Sequence, residues 1–167
     1  MSDVFLTKTE NRSPVCLNKQ NVKLIVKEEP NFKLSSKNNP MLVFKMEIQD
    51  PAVQFRKGEE QKIAGIELTI WATFFINRDT GREENLQLAK IHTQARLPME
   101  FQRDEDTGLP VDESGTPFRY TGIILDAMVV SEEYTIVDDD EKPILNPRTG
   151  KEQKGYNHRV IKLYGDE

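Results

Sequence analysis

Residues 62–81 read KIAGIELTIWATFFINRDTG. From Ile66 onward the even positions, Ile66, Leu68, Ile70, Ala72, Phe74 and Ile76, are apolar, while Glu67, Thr69, Thr73 and Asn77 hold odd ones. Alternation sends successive side chains to opposite faces of a strand, so the stretch predicts one long strand over 62–76 with a core face and a wet face. Trp71 and Phe75 break the pattern by standing on the wet face. Two readings account for them. Either a loop, a terminal strand or a second subunit covers them, or they are platforms on which flat ligands stack.

Upstream, NVKLIVKEEP alternates with Val22, Leu24 and Val26 on one side and stops at Pro30. MLVFKMEIQDP alternates again, with Leu42, Phe44, Met46 and Ile48 on one face. Between them lies a turn-rich stretch that carries Lys33 and Lys37. Downstream the period changes to that of a helix. Thr80 and Glu83 have capping-box spacing, Leu88, Ile91, His92 and Ala95 form a modest stripe, and Pro98 ends it. FRYTGIILDAMVVSEEYTIV reads as a fourth strand with Gly122 a candidate bulge, and YNHRVIKLYGDE reads as a fifth. Strand, strand, strand, helix, strand, strand is the order of the OB-fold, so the expectation is a mainly β chain forming a five-stranded OB-fold-like barrel with one helix between strands 3 and 4. In that fold strands 2 and 3, with the loops between strands 1 and 2 and between strands 4 and 5, make the ligand groove. Those loops map to 29–40 and 137–155.

The 167 residues suffice for one domain with a sizeable core, and no internal repeat or low-complexity linker divides them. The expectation is a single domain over 1–167, with 1–20 as an N-terminal extension. No apolar run is long enough to span a bilayer as a helix, and the N-terminus lacks the pattern of a secretory signal. A single cysteine, Cys16, excludes an intramolecular disulfide framework and points to a reducing compartment. The net charge of −5 argues mildly against a polyanion binder, but its distribution is uneven: residues 1–48 carry +3, 49–100 carry −1 and 101–167 carry −7. A basic front half still allows one positive face.

Catalytic patterns are weak. There are only two histidines, His92 and His158, and no Cys/His cluster with zinc spacing, glycine-rich phosphate loop or nucleophile elbow. His92 reads as a half-buried packing residue of the helix. His158, beside Arg159, reads as a strand residue that could reach a phosphate. Glu67 and Asp126 sit on strands that nothing in the sequence brings together. DEDTGLPVDE, which begins at Asp104, resembles a calcium loop only superficially, because Gly108 comes one position early and no bidentate Glu follows. It reads as a solvated hairpin loop. The expectation is a binding protein without cofactor or metal, not an enzyme.

The stretch Ser35, Ser36, Lys37, Asn38, Asn39, Pro40, Met41 before the second strand resembles the K-S-x-x-G-N-P-M stretch of bacteriophage proteins related to single-stranded DNA-binding proteins. Asn38 stands where the family has glycine, and asparagine tolerates a left-handed turn. Ile63-Ala64-Gly65, the helix running to Leu97-Pro98 and the Tyr120-Thr121-Gly122 entry to the fourth strand also fit, so the likeness covers roughly 22–164 in outline. It implies an OB-like fold, coating of single strands in phage DNA replication or recombination, phage or host replication proteins as partners, and the cytoplasm of an infected bacterium. The family's acidic C-terminal tail is not matched: the chain ends in YGDE, and its acidic run, Asp138 to Glu141, is internal.

The leading expectation is therefore non-sequence-specific binding of single-stranded DNA. Lys33, Lys37, Lys45, Arg148, Lys151 and Lys154 would meet phosphates, and Trp71, Phe75 and Tyr156 would stack on bases. The alternative is a protein-interaction or virion-structural module on the same barrel, with Trp71 in a subunit interface. A nucleotide-signal sponge is a fainter third reading. Self-association is left open, and no membrane is implied. The acidic run is expected at the groove mouth, either as a solvated loop or as a phosphate mimic that folds over the basic residues of loop 137–155, or over Lys33 and Lys37, until DNA displaces it.

Overall fold

The structure is a computed structural model that describes residues 15–145 and 147–165. Most of the expected N-terminal extension thus lies outside the described residues. The described chain is mainly antiparallel β with one helix. Five long strands correspond to the five expected ones: β1 (Gln20–Val26), β3 (Pro40–Asp50), β6 (Glu67–Thr73), β11 (Ile124–Thr135) and β12 (Lys154–Leu163). The helix α1 (Leu86–Ala95) falls between β6 and β11.

The strand count departs from five, because twelve strands are present among the described residues. The extra ones are short: β2 (Asn31–Leu34), β4 (Val53–Arg56), β5 (Glu59–Lys62), β7 (Phe75–Ile76), β8 (Glu83–Glu84), β9 (Gln102–Arg103) and β10 (Pro110–Val111). Most are hairpin arms too brief to carry a period, which is why alternation did not reveal them. β2 occupies the supposed loop 29–40 and pairs with the start of β3, with Asn31 opposite Val43 and Leu34 opposite Pro40. The supposed long strand 62–76 is three pieces. Glu59–Lys62 belongs to a hairpin with β4, a turn at Gly65 (φ 91°) intervenes, and the ladder of β6 ends at Thr73.

β1 pairs on one side with β11 and on the other with the C-terminal half of β3; β2 takes the same edge of β3 further toward its start, and β6 takes the opposite edge. β12 completes the path by pairing with β11. β12 and β6 approach within 8 Å between Cα atoms, yet no ladder joins them among the described residues, so the expected barrel is not closed by hydrogen bonds.

The inward faces follow the alternation. Val22, Leu24 and Val26, then Leu42, Phe44, Met46 and Ile48, then Leu68, Ile70, Ala72 and Phe74 are all buried. Leu88 and Ile91 of α1 and Leu125, Ala127 and Val129 of β11 close the same core. Ile76 is the exception, at 60% exposed, because the strand has already broken. The helix does not start at the Thr80/Glu83 box. Asn85 is the N-cap: its side-chain oxygen accepts from the Leu88 N–H (3.0 Å) and its amide donates to the Ala72 carbonyl (2.9 Å). Glu83 is instead part of β8. Arg96 ends the helix in the left-handed conformation, two residues before Pro98.

Glu29 ties the end of β1 to the entry of β11. Its carboxylate accepts from the Tyr120 N–H (3.0 Å), the Thr121 N–H (2.8 Å) and the Thr121 hydroxyl (2.6 Å). Burial pushes its acidity toward the neutral form, but these donors and Arg119 outweigh it and lower the pKa.

Candidate nucleic-acid interface

Directly opposed residues of an antiparallel pair share a face. Applied to β2, β3 and β6, the registers build two cross-strand rows on the outer side of the sheet. Asn31, Val43 and Trp71 form one; Lys33, Met41 and Thr73 form the next. Lys45 lies opposite Thr69, diagonal to Trp71. Trp71 is 56% exposed, and no described segment covers it fully. Val43 beside it is buried, which gives the indole an apolar floor on one flank.

The hairpin β2–β3 is shaped to hold this face. Ser35 accepts through its hydroxyl from the N–H groups of Lys37 (3.3 Å) and Asn39 (3.1 Å), and Asn38 adopts φ 63°. Asparagine accepts that left-handed geometry at modest cost, as the substitution for glycine requires. Lys37 is exposed at the tip of this turn. From beneath, Phe32 packs inward against the β9–β10 hairpin. The Arg103 guanidinium sits 5.7 Å from the Phe32 ring centre and 5.5 Å from that of Phe74. Gly108 (φ 76°) lies so close to Phe32 that a Cβ there would enter the ring.

Charge on the face is graded. Lys33, Lys37 and Lys45 cluster at the Trp71 end. Toward the other end Glu47 opposes Glu67, and exposed ion pairs link Lys27 to Glu47 (3.5 Å) and Lys45 to Glu28 (3.8 Å). Such pairs are held weakly in water.

Lys33, Lys45 and Trp71 are thus brought together, with Lys37 at the margin. Phe75 is not on the same strand face. It belongs to β7, opposite Glu84, and is 40% exposed at the same end of the sheet. Arg148, Lys151, Lys154 and Tyr156 belong to the β11–β12 ribbon. β11 meets β1 only as far as Gln20 opposite Val129, and then runs on beyond the end where β3 finishes. By register, the ribbon tip and the Trp71 end are therefore opposite ends of the sheet. Lys154 bonds the Thr135 hydroxyl (2.7 Å), and Tyr156 opposes Glu133. The acidic run closes a turn at this tip, where the Asp138 carboxylate accepts from the N–H of Asp140 (2.9 Å) and Lys142 (3.0 Å). That location is remote by register from Lys33 and Lys37 and on the same ribbon as Arg148, Lys151 and Lys154, which leaves the loop's own basic residues as the placement for a phosphate mimic. The loop 137–155 also carries isolated bridges, Val137 to Pro143 and Leu145 to Glu152.

The remaining polar candidates are not brought together. His92 is fully buried, not half-buried, with Phe101, Phe118 and Tyr120 packed around its ring. His158 Nδ1 lies 2.7 Å from the Ser131 hydroxyl and its Nε2 is buried, so it does not face solvent phosphate. Asp126 pairs with Lys23 (2.8 Å), strands away from Glu67. Asp104 to Leu109 is a hairpin turn between β9 and β10, as the sequence suggested. What sequence reading missed on the interface is Asn31, Met41 and Val43. Only the pairing register, which no single-strand pattern contains, sets them beside Trp71.

No protein-family model matches the chain, and no curated protein matches it.

Proposed function

We propose that the chain is an OB-like, non-sequence-specific binder of single-stranded DNA, and that the outer face of β2, β3 and β6 is where it binds. The OB assignment is supported by the pairing order. The first long strand contacts the second and fourth, the second contacts the third, the fourth contacts the fifth, and the helix lies between the third and fourth. The observation that carries the function is one exposed tryptophan in a cross-strand row with lysines on both sides. An indole offers every base the same stacking surface, while the ammonium groups meet phosphates without reading sequence. A role in phage replication or recombination, inside an infected bacterium and beside replication proteins, belongs to the same proposal and rests on the resemblance.

The chain has one tryptophan, so its emission reports this site alone. Titration with oligo-dT quenches it, and Trp71→Ala weakens binding by about 1–3 kcal/mol, the usual worth of one base–aromatic stack. Binding with unchanged emission and an unaffected variant would sink the assignment of the face. If emission instead shifts with protein concentration and ignores DNA, Trp71 lies in a subunit contact and the interaction-module reading replaces this one.

A further inference from the structure

A separate cleft of about 720 Å³ lies at the Trp71 end of the sheet, between the start of α1 and the β9–β10 hairpin. Its floor is apolar, made by Phe74, Phe101 and Val111. Two large side chains stand exposed at its margin, Leu86 at 64% and Met99 at 53%. Its charge is strongly one-sided: five carboxylates, at Glu83, Glu84, Glu100, Asp112 and Glu113, face two cations, Arg82 and Arg103.

Not all of these charges are available. Arg103 is held in a two-point bond to Glu83 (2.9 and 3.1 Å), which removes one of each sign. The Asp112 carboxylate is occupied by the Ser114 hydroxyl and the Ser114 and Thr116 N–H groups, and these donors keep it ionised by lowering its pKa. Glu84 accepts one bond, from the Asn77 amide at 3.1 Å. Glu100 and Glu113 are exposed and have no side-chain partner among the described residues. With Arg82 as the remaining cation against Glu84, Glu100 and Glu113, the cleft therefore offers an apolar floor ringed mainly by carboxylates with unused acceptor capacity. This repels nucleic acid and complements a cationic, apolar chain. Methionine at the rim adapts to differing side-chain shapes.

We infer that this cleft is a docking site for a short protein segment in which apolar side chains alternate with lysine or arginine. The apolar side chains fill the space over Phe74 and Phe101, and the cations reach Glu84, Glu100 and Glu113. The site is distinct from the DNA-binding face, although both lie at one end of the sheet, so a partner could be held beside a bound strand.

The test uses the full chain and three capped pentapeptides: alternating lysine and phenylalanine, alternating glutamate and phenylalanine, and alternating lysine and glycine. Backbone amide resonances are followed by NMR. The lysine–phenylalanine peptide should saturably shift Leu86, Ala89, Gln102, Arg103 and Val111, while the other two bind more weakly. The triple change Glu84→Gln, Glu100→Gln, Glu113→Gln keeps the side-chain shapes. It should weaken that peptide by about tenfold or more, the scale of losing one charge-assisted contact, and leave oligo-dT binding at Trp71 in place. Absence of binding, shifts mapping elsewhere, equal binding of either control peptide or an unaffected triple variant would each overturn the inference. A DNA oligomer that shifts these same amides would overturn it as well. Because the readout is confined to the cleft, the DNA-binding proposal stands or falls separately.

Discussion

The Nδ1–H of His92 donates to the Pro98 carbonyl (2.7 Å), which leaves Nε2 to accept from the Tyr120 hydroxyl (2.7 Å). In the neutral ring the tautomer is thus set by its neighbours. Burial lowers its pKa, partly offset by the bond to Pro98, and burial likewise raises that of Tyr120. His158 is shifted down too, by burial. The unfolded chain protonates its histidines near pH 6.5, while the folded chain resists until lower pH. Below that point the unfolded state binds more protons, so stability falls as pH drops through about 6.5 toward the folded values, at up to about 1.4 kcal/mol per pH unit for each such group. Urea denaturation at about pH 7.5 and 5.5 should show this loss, and His92→Gln, although less stable throughout, should show a shallower one. An unchanged pH slope in that variant would mean that His92 is not the group responsible. His92 was legible as a packing residue from its place in an apolar stripe. Its full enclosure was not, because Phe101, Phe118 and Tyr120 arrive from segments whose approach no local pattern records.

At the scale of elements, core faces were legible and boundaries were not. Alternation in β1, β3 and β6 named the buried residues correctly because burial of one face acts on every second residue. It failed at Thr73, where the ladder ends: the Phe74 N–H still bonds to the carbonyl of Pro40 opposite it (2.9 Å), but proline has no N–H to return, and Phe75 pairs with β8 instead. The helix start failed similarly. Thr80 and Glu83 satisfy a spacing rule, but Asn85 can reach both Leu88 and the buried Ala72 carbonyl. Asn85→Ala should therefore cost about 2–3 kcal/mol, a lost cap together with an unsatisfied buried acceptor. Thr80→Ala, in an exposed turn, should stay within about 0.5 kcal/mol. Denaturant midpoints of the two variants check this, and the reverse order would restore the sequence-based helix start.

For the molecule as a whole, the separation of Trp71 from the ribbon tip sets how the proposed DNA-binding face would hold a strand. A strand that touches Lys33 and Lys151 together must run the length of the sheet. OB-type sites span about 4 to 16 nucleotides. A four-nucleotide oligomer, at about the lower limit, should feel Lys33→Ala and Lys45→Ala but not the joint change of Arg148, Lys151 and Lys154 to alanine; one of about 16 should feel both. Each phosphate contact removed should make the salt dependence of binding shallower by about 0.7. If the short oligomer loses affinity in the ribbon variant, ribbon and Trp71 face are adjacent and the register argument fails. The order of the five long strands was legible because the first three carry a period of two and the last two are rich in β-branched and apolar residues. Which loop lies at which end depends on pairings between residues about a hundred positions apart, and composition or charge runs hold no trace of them.

β3 borders three strands, two of them sharing a single edge. Those partners all lie within residues 20–73, whereas β1 must wait for β11, whose residues stand roughly a hundred places later, as in Leu24 opposite Leu125. Short closures cost less chain entropy than long ones and are made sooner. β3 is thus the expected nucleus of folding, with the β11–β12 ribbon docking after the rate-limiting barrier. Met46→Ala, which thins the centre of β3, should slow refolding. Val129→Ala in β11 should leave refolding nearly untouched and hasten unfolding instead. Stopped-flow chevrons of the two variants would show the contrast in opposite limbs. A first half that assembles early would also leave the edge of β1 bare until the second half arrives, which makes that interval the one in which the chain is most exposed to pairing with another copy of itself.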